Sequence, residues 1–468
     1  RTPYRVKQVT YKKGSVLYGG RKYTYGDCMT KVTDMIPNED GSALVAGKSL
    51  IYHFNDYGNV VSVNDGLGYA CFAKYSEELP VNHPEVASKM QRSVVNLLRG
   101  HNMEASGSWT NKNLSEGTGT YSYVTDEKYL GAQSLKMEKT NDVGTMTSYQ
   151  TVTIEKGKTY TFSAYFKTSG NTSAQLRATY KKSTGTNVNK YSLAQQNTTG
   201  WDRVSLTFTV PANSSADTVT LRLMAAEGTG TVWYDCAQLE EGAVANSYNL
   251  LLNGDFTFNV GAHPEAWVAK STNDSTKDTV KATHTGTKPE GLGINTMYLY
   301  GTGRTKYPGI YQELPLSGST GDVYAAGGWS FSYSKPRKGE NFRYNIRVCF
   351  KRSGTSDTWV NAPSIEWNEE WTDWQFAAGP IVAPCDYTAV RFYIDYERNI
   401  NLAQFGGLFL YKEEFGKTFG YDDNGNILSA KNLAALQSHA TYDAYNNLLT
   451  YRQPGRDANT KYTLNWGS

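Results

Sequence analysis

Two groups of residues in this sequence could do chemistry, and they stand at matching places in two similar stretches. "YTFSAYFKTS" (160–169), "LRATYKKSTGT" (176–186) and "TVTLRLMAA" (218–226) are followed in the same order by "YAAGGWSFSY" (324–333), "IRVCFKRSGT" (346–355) and "YTAVRFYID" (387–395). Each run alternates apolar and polar residues with the period-two pattern of a half-buried strand. With the core-facing parity set aside, the first copy carries Tyr165, Arg177 and Arg222, and the second carries Trp329, Arg347 and Arg391. An aromatic ring stacks on the apolar face of a sugar ring, and guanidinium donors bind hydroxyls or a uronate carboxylate. The same arginines could instead bridge to nearby carboxylates or cover apolar surface. Trp367, Trp371 and Trp374 in "WNEEWTDW" could form a second stacking platform, with Trp374 expected inside the core because it matches Val204.

Other chemistry finds little footing. His53, His83, His101, His263, His284 and His439 have no metal-ligand spacing, and neither a nucleophile-elbow nor a phosphate-loop sequence occurs. The chain is therefore expected not to be an enzyme. Five cysteines without a CxxC pair argue against a disulfide framework or a zinc site, and Cys236 and Cys349 read as buried thiols. With 47 basic and 44 acidic residues the net charge is +3, which gives no electrostatic case for nucleic acid. No apolar run is long enough to span a bilayer, so no membrane insertion is expected. The chain opens on Arg1 with no signal peptide, and is expected to belong to a larger polypeptide.

The elements that must position these residues are strands. Tyr is used 35 times and Gly 44 times, and strand-like runs recur every 8–15 residues between Gly, Ser and Thr turns. The duplication extends to "VVNLLRGHNME" (94–104) and "SYNLLLNGDFT" (247–257), whose Asn-Leu-Leu starts lie 153 residues apart. Two sandwiches are expected, over 92–247 and 248–416, with one short helix over 83–91 before them. A shorter phrase repeats outside them. "FNDYGNVV" (54–61), "YDDNGNIL" (421–428) and "YDAYNNLL" (442–449) each place Asp or Asn before a turn that tolerates positive φ. Each is expected to be a hairpin that must stack on neighbours.

These phrases resemble the YD repeats of Rhs-type proteins over roughly residues 40–80 and 415–465, a family in which such repeats wind into secreted or surface-attached shells. The Asn-Leu-Leu start, "GKTYTFSAYFKTSG", "GWDRVSLTFTVP" and "VWYDCAQLEEG" resemble a jelly-roll carbohydrate-binding module. The first copy fits throughout and the second more loosely. Together these imply an all-β chain: a YD-like region at 1–91, two tandem jelly-roll β-sandwiches, and YD-repeat β-hairpins at 417–468. The resemblance implies a glycan partner (plant, host or bacterial cell-wall polysaccharide) and an extracellular or cell-wall location in a bacterium. A spacer or shell segment of a toxin-delivery protein, and a substrate-targeting region of a glycoside hydrolase, are the alternatives. It also implies a structural Ca2+ in the first module, held by Glu104 and Asp235, and none in the second, where Thr257 and Gly406 match them.

Overall fold

The structure is a computed structural model. It describes the chain except residues 1–4, 27, 56, 66–68, 76–83, 88–90, 93–94, 271–278, 282–288, 290–291, 294, 303–306, 337–341, 370, 414–416, 433–436, 455 and 464–468. Among the described residues it is all-β, with no helix. Two compact units divide the chain: Arg1–Ser93, Phe376–Pro380 and Glu413–Ser468 form one, and Val94–Gln375 with Ile381–Lys412 the other.

The first unit is built on one 13-stranded sheet. Its N-terminal and C-terminal strands join where Pro84–Ala87 pairs antiparallel with Lys417–Tyr421, so the two ends of the chain make one sheet and not two regions. Pro84–Ala87 lies within the stretch expected as a helix. It extends instead as a strand, because its backbone groups are taken up by a strand on each side, Tyr69–Tyr75 and Lys417–Tyr421; residues 83 and 88–90 lie outside the described residues. The three repeated phrases form one turn. The side chain of Asn55 accepts the N–H groups of Tyr57 and Asn59, Asp422 those of Asn424 and Asn426, and Asp443 those of Tyr445 and Asn447.

The second unit holds two jelly-roll-type sandwiches. In the first, one sheet orders Gly119–Val124, Ser134–Lys139, Gly230–Glu241, Thr159–Gly170 and Asp202–Thr209. The other orders Asn187–Tyr191, Ser173–Lys181, Thr218–Ala226, Thr145–Thr153 and Thr110–Leu114. Between them Phe162, Leu176, Leu221, Leu223 and Leu239 are wholly buried. The second sandwich repeats the topology. Val268–Ala269, Gly309–Leu314, Tyr387–Asp395, Asn345–Arg352 and Trp359–Asn361 form one sheet in that order. Thr279–Lys281, Thr296–Thr302, Ile400–Lys412 and Val323–Ser332 run in order through the facing one.

The Asn-Leu-Leu starts explain why each sandwich closes. Asn96 Oδ1 accepts the N–H groups of Leu98 (3.2 Å) and Leu239 (3.1 Å), and its Nδ2 donates to the Ala237 carbonyl (2.8 Å). Asn249 does the same with Leu251, Leu410 and Leu408 (3.1 Å each). An entering segment with no strand partner of its own is thereby hydrogen-bonded to the last strand. A glutamine completes each clip: Gln150 brackets Arg99 and Gln312 brackets Leu252 through N–H and carbonyl. Trp109 and Trp267 then donate their indole N–H to the carbonyls of Gly100 and Asn253, both 3.2 Å. Those two residues share a left-handed φ of 53° and 54°.

At the junction of the sandwiches His101 is wholly buried. Its Nδ1 lies 2.6 Å from the Tyr248 hydroxyl and its Nε2 3.2 Å from the Leu251 carbonyl. A carbonyl can only accept, so Nε2 carries the proton and Nδ1 accepts from the tyrosine. Burial pushes the His101 pKa down to about 3.

Asn96→Ala and Asn249→Ala each leave two N–H groups and a carbonyl unpaired in the interior. Each is expected to cost about 2–4 kcal/mol in urea unfolding. His101 binds a proton more readily unfolded than folded, so its contribution is complete above pH ~6.5 and is lost as pH falls towards its folded pKa. The stability gap between the wild type and His101→Gln, measured at intervals from pH 7.5 to 4.5, should narrow as pH falls. A constant gap contradicts a neutral buried imidazole.

Candidate functional site

The face of the first sandwich's second sheet that points away from the core carries a continuous row. Tyr149 pairs with Arg222, Arg222 with Arg177, and Arg177 with Tyr191, across four strands. Period-two alternation produces it: Leu221 and Leu223, Leu176 and Ala178 turn inward and are fully buried, which turns the residues between them outward. Arg222 lies over the Tyr149 ring at 5.1 Å and Arg177 over the Tyr191 ring at 5.9 Å. A second row runs beside it, from Asn189 through Thr179 and Thr220 to Thr151. Its hydroxyls and amide are linked: Thr179 donates to Asn189 (2.8 Å), Thr151 and Thr220 lie 3.0 Å apart, and Arg222 reaches Thr179 at 3.4 Å. The Nε atoms of both arginines are buried with no hydrogen-bond partner. Burial and the neighbouring Arg177 charge lower the Arg222 pKa. This arrangement offers flanking rings, a pair of guanidinium forks and a strip of hydroxyls, a surface suited to a hydroxylated ring compound.

Arg177 and Arg222 were expected on this face, and Tyr165 beside them. Tyr165 belongs to the opposite sheet, in Thr159–Gly170. It stacks on Tyr129 with ring centroids 3.8 Å apart, and Arg203 lies 5.4 Å from its ring. Parity fixes the side of a strand and leaves its sheet open, so the aromatic partners of the arginines are Tyr149 and Tyr191 instead. Tyr149 was findable, since it stands among Thr145, Thr147, Thr151 and Thr153 on the polar parity of its strand. Tyr191 ends a strand with no apolar alternation, "NVNKY", and had no such signal.

The second sandwich differs. Trp329 is buried, not solvent-facing, and stands opposite Gly406. Register places the pair where the first copy has Tyr165 opposite Asp235, so a small residue faces the larger ring. Arg347 and Arg391 do share the equivalent sheet, but they are offset: Arg347 pairs with Tyr393 and Arg391 with Cys349. Both are neutralised. Arg347 donates to Asp395 (Nε–Oδ2 2.6 Å), a residue with no exposed surface, and Arg391 to Glu313 (2.8 Å). Lys270 joins Asp395 at 2.8 Å and also meets Glu397. Burial alone would lower the Arg347 pKa, but its hydrogen bonds and the Asp395 charge outweigh that and raise it. Trp359 and Tyr311 cover Arg391 at 3.9 and 5.3 Å. Among the three tryptophans of "WNEEWTDW", Trp367 is the buried one, donating to the Gly328 carbonyl at 3.2 Å. Trp374 is half-buried against Phe331, so these residues do not make a flat platform.

Glu104 and Asp235 do not fit calcium. Asp235 is wholly buried, and its Oδ2 accepts the N–H groups of Tyr129 (3.0 Å) and Leu130 (3.1 Å) while Oδ1 accepts that of Cys236 (2.7 Å). Glu104 Oε1 accepts the Ala132 N–H at 2.7 Å. Donor hydrogens point at both Asp235 oxygens and at one of Glu104, whereas calcium asks for six to eight oxygens. No group of three or more His, Cys, Asp or Glu residues that could hold a metal occurs among the described residues. The carboxylates instead hold the loop before Ser134–Lys139. Burial pushes the Asp235 pKa up to about 7 against those N–H donors.

Residues 96–229 match the family model described as a carbohydrate binding domain. The chain is 32% identical over 203 residues to the tRNA(Glu)-specific nuclease WapA of Bacillus subtilis subsp. natto, covering 40% of this chain and 8% of that protein. It is 27% identical over 342 residues to the tRNA3(Ser)-specific nuclease WapA of Bacillus spizizenii, covering 62% and 14%. The chain thus spans a small part of the length of these curated relatives. Among solved structures, the tandem CBM22-1–CBM22-2 domain of Paenibacillus barcinonensis Xyn10C is 15% identical at a TM-score of 0.27, covering 70% of this chain and all of that one. TmCBM61 in complex with beta-1,4-galactotriose is 10% identical at a TM-score of 0.25, covering 32% and 99%. The fold assignment rests on the strand order above. The matches correct two expectations. The curated relatives are named as tRNA nucleases, which overturns the expectation that the chain is not an enzyme, and the exclusion of nucleic acid from charge balance finds no support in them.

The two arginine pairs predict unequal stability effects. Arg347→Gln leaves the buried Asp395 with Lys270 as its remaining cation and should cost about 2 kcal/mol. Arg177→Gln removes a like-charge contact and should stay within about 0.5 kcal/mol of the wild type. Urea unfolding of both variants distinguishes them, and equal losses would contradict this reading of the two faces.

Proposed function

We propose that this chain is a carbohydrate-binding region of an extracellular or cell-wall-associated bacterial protein of the Rhs type, and that the first sandwich holds its glycan site. The observation that carries this reading is the row Tyr149–Arg222–Arg177–Tyr191, which lies on an outward sheet face within the segment that matches a carbohydrate binding domain. The rings supply stacking surfaces, and the adjoining threonines and Asn189 supply hydroxyl and amide groups for sugar hydroxyls. The repeated turns at Asn55, Asp422 and Asp443 support the Rhs-type setting. In that setting the region would attach a large polypeptide to polysaccharide, and the names of the curated relatives suggest a tRNA nuclease as the activity of the whole.

A second reading applies to the second sandwich alone. Its equivalent face is occupied by its own ion pairs, with Arg347 on Asp395 and Arg391 on Glu313, which favours a spacer that sets the distance of the first sandwich from the remaining chain.

Binding of the full chain to a panel of plant and bacterial wall polysaccharides tests the site. Tyr149→Ala and Tyr191→Ala should each weaken the best ligand about tenfold or more, while Trp359→Ala on the second sandwich should leave it unchanged. Retention of no glycan by the wild type, or retention indifferent to both tyrosines, would contradict the proposal.

A further inference from the structure

The charge on the first sandwich's open face is one-sided. By register, its outward positions include Lys112, Arg222, Arg177 and Lys181, and none of them on the five strands is Asp or Glu. Arg177 and Arg222 stand directly opposite each other, an arrangement that costs stability when the charges are alike. No salt bridge among the described residues reaches either one. Their Nε atoms are withdrawn from water without a partner, which adds a desolvation cost. The second sandwich carries arginines on the equivalent sheet and spends each on a carboxylate of its own.

We propose that the open face of the first sandwich binds an acidic polysaccharide, with a uronate carboxylate received between Arg177 and Arg222 and neighbouring rings resting on Tyr149 and Tyr191. This rests on the carbohydrate reading above and names its ligand class. The Tyr149 and Tyr191 strands are three strand spacings apart, about 14 Å, which gives a short oligosaccharide room to lie across the strands with its charge near the centre. A carboxylate there supplies the counter-charge that neither guanidinium group has, and the planar fork of arginine matches it. It also relieves the repulsion between them. A nucleic-acid strand carries negative charge as well, but the hydrogen-bonded row of Asn189, Thr179, Thr220 and Thr151 suits a ligand rich in hydroxyls.

The test compares affinities of the full chain for polygalacturonate, for neutral xylan of similar length and for single-stranded RNA. Polygalacturonate is expected to bind tightest and to weaken as salt rises from about 0.05 to 0.5 M. Arg177→Gln and Arg222→Gln should each weaken it about tenfold and flatten its salt dependence, while Trp359→Ala on the second sandwich leaves both unchanged. Because the wild-type salt dependence and ligand ranking need no substitution, they decide the matter even if a variant fails to fold. Xylan bound as tightly as polygalacturonate, with no salt dependence, overturns the acidic preference and leaves the carbohydrate reading standing. RNA bound more tightly than either glycan, or no glycan bound at all, overturns both.

Discussion

Each sandwich depends on one buried asparagine. Asn96 and Asn249 sit on segments that arrive without a neighbouring strand, and each spends its amide on two N–H groups and one carbonyl, two of these three on the last strand. Without that clip a closing strand more than 140 residues further along the chain would leave interior backbone groups unpaired. The last strand bulges beside the clip in both copies. Left-handed residues Cys236 and Gly407 immediately precede the clipped carbonyls of Ala237 and Leu408, and the register shift between Ser163 and Tyr165 recurs between Gly327 and Trp329.

From this shared frame the two copies diverge at the positions facing outward. In the first, like charges are set against each other across a strand pair and flanked by rings. In the second, the arginines of the equivalent sheet pair with carboxylates, and Arg347, Lys270 and Asp395 form a largely buried network. A duplicated domain can afford such a split, because the clip and core hold the fold while the outer parity of each strand is free to change.

The duplication and the outward parity of Arg177 and Arg222 were legible in the sequence, because a period of two and an ordered repeat both leave direct marks on residue spacing. The partner of each arginine was not. Cross-strand neighbours come from distant stretches: Tyr149 meets Arg222, and Asp395 meets Arg347. Spacing within a strand carries no information on that register. Trp329 shows the same limit, since it occupies an outward parity yet is buried opposite Gly406. Glu104 and Asp235 were read as cation ligands because acidic side chains met in the expected places. Their oxygens are taken by backbone N–H groups of a loop whose path the sequence does not display.

The central claim is that the paired arginines of the first sandwich are held open for an anionic sugar while those of the second are internally satisfied. NMR of the arginine Nε–H groups during titration with a short oligogalacturonate tests it most directly. The account predicts that the Arg177 and Arg222 signals shift together in a saturable way while those of Arg347 and Arg391 stay in place. Stationary Arg177 and Arg222 signals, or equal shifts at all four arginines, would contradict it.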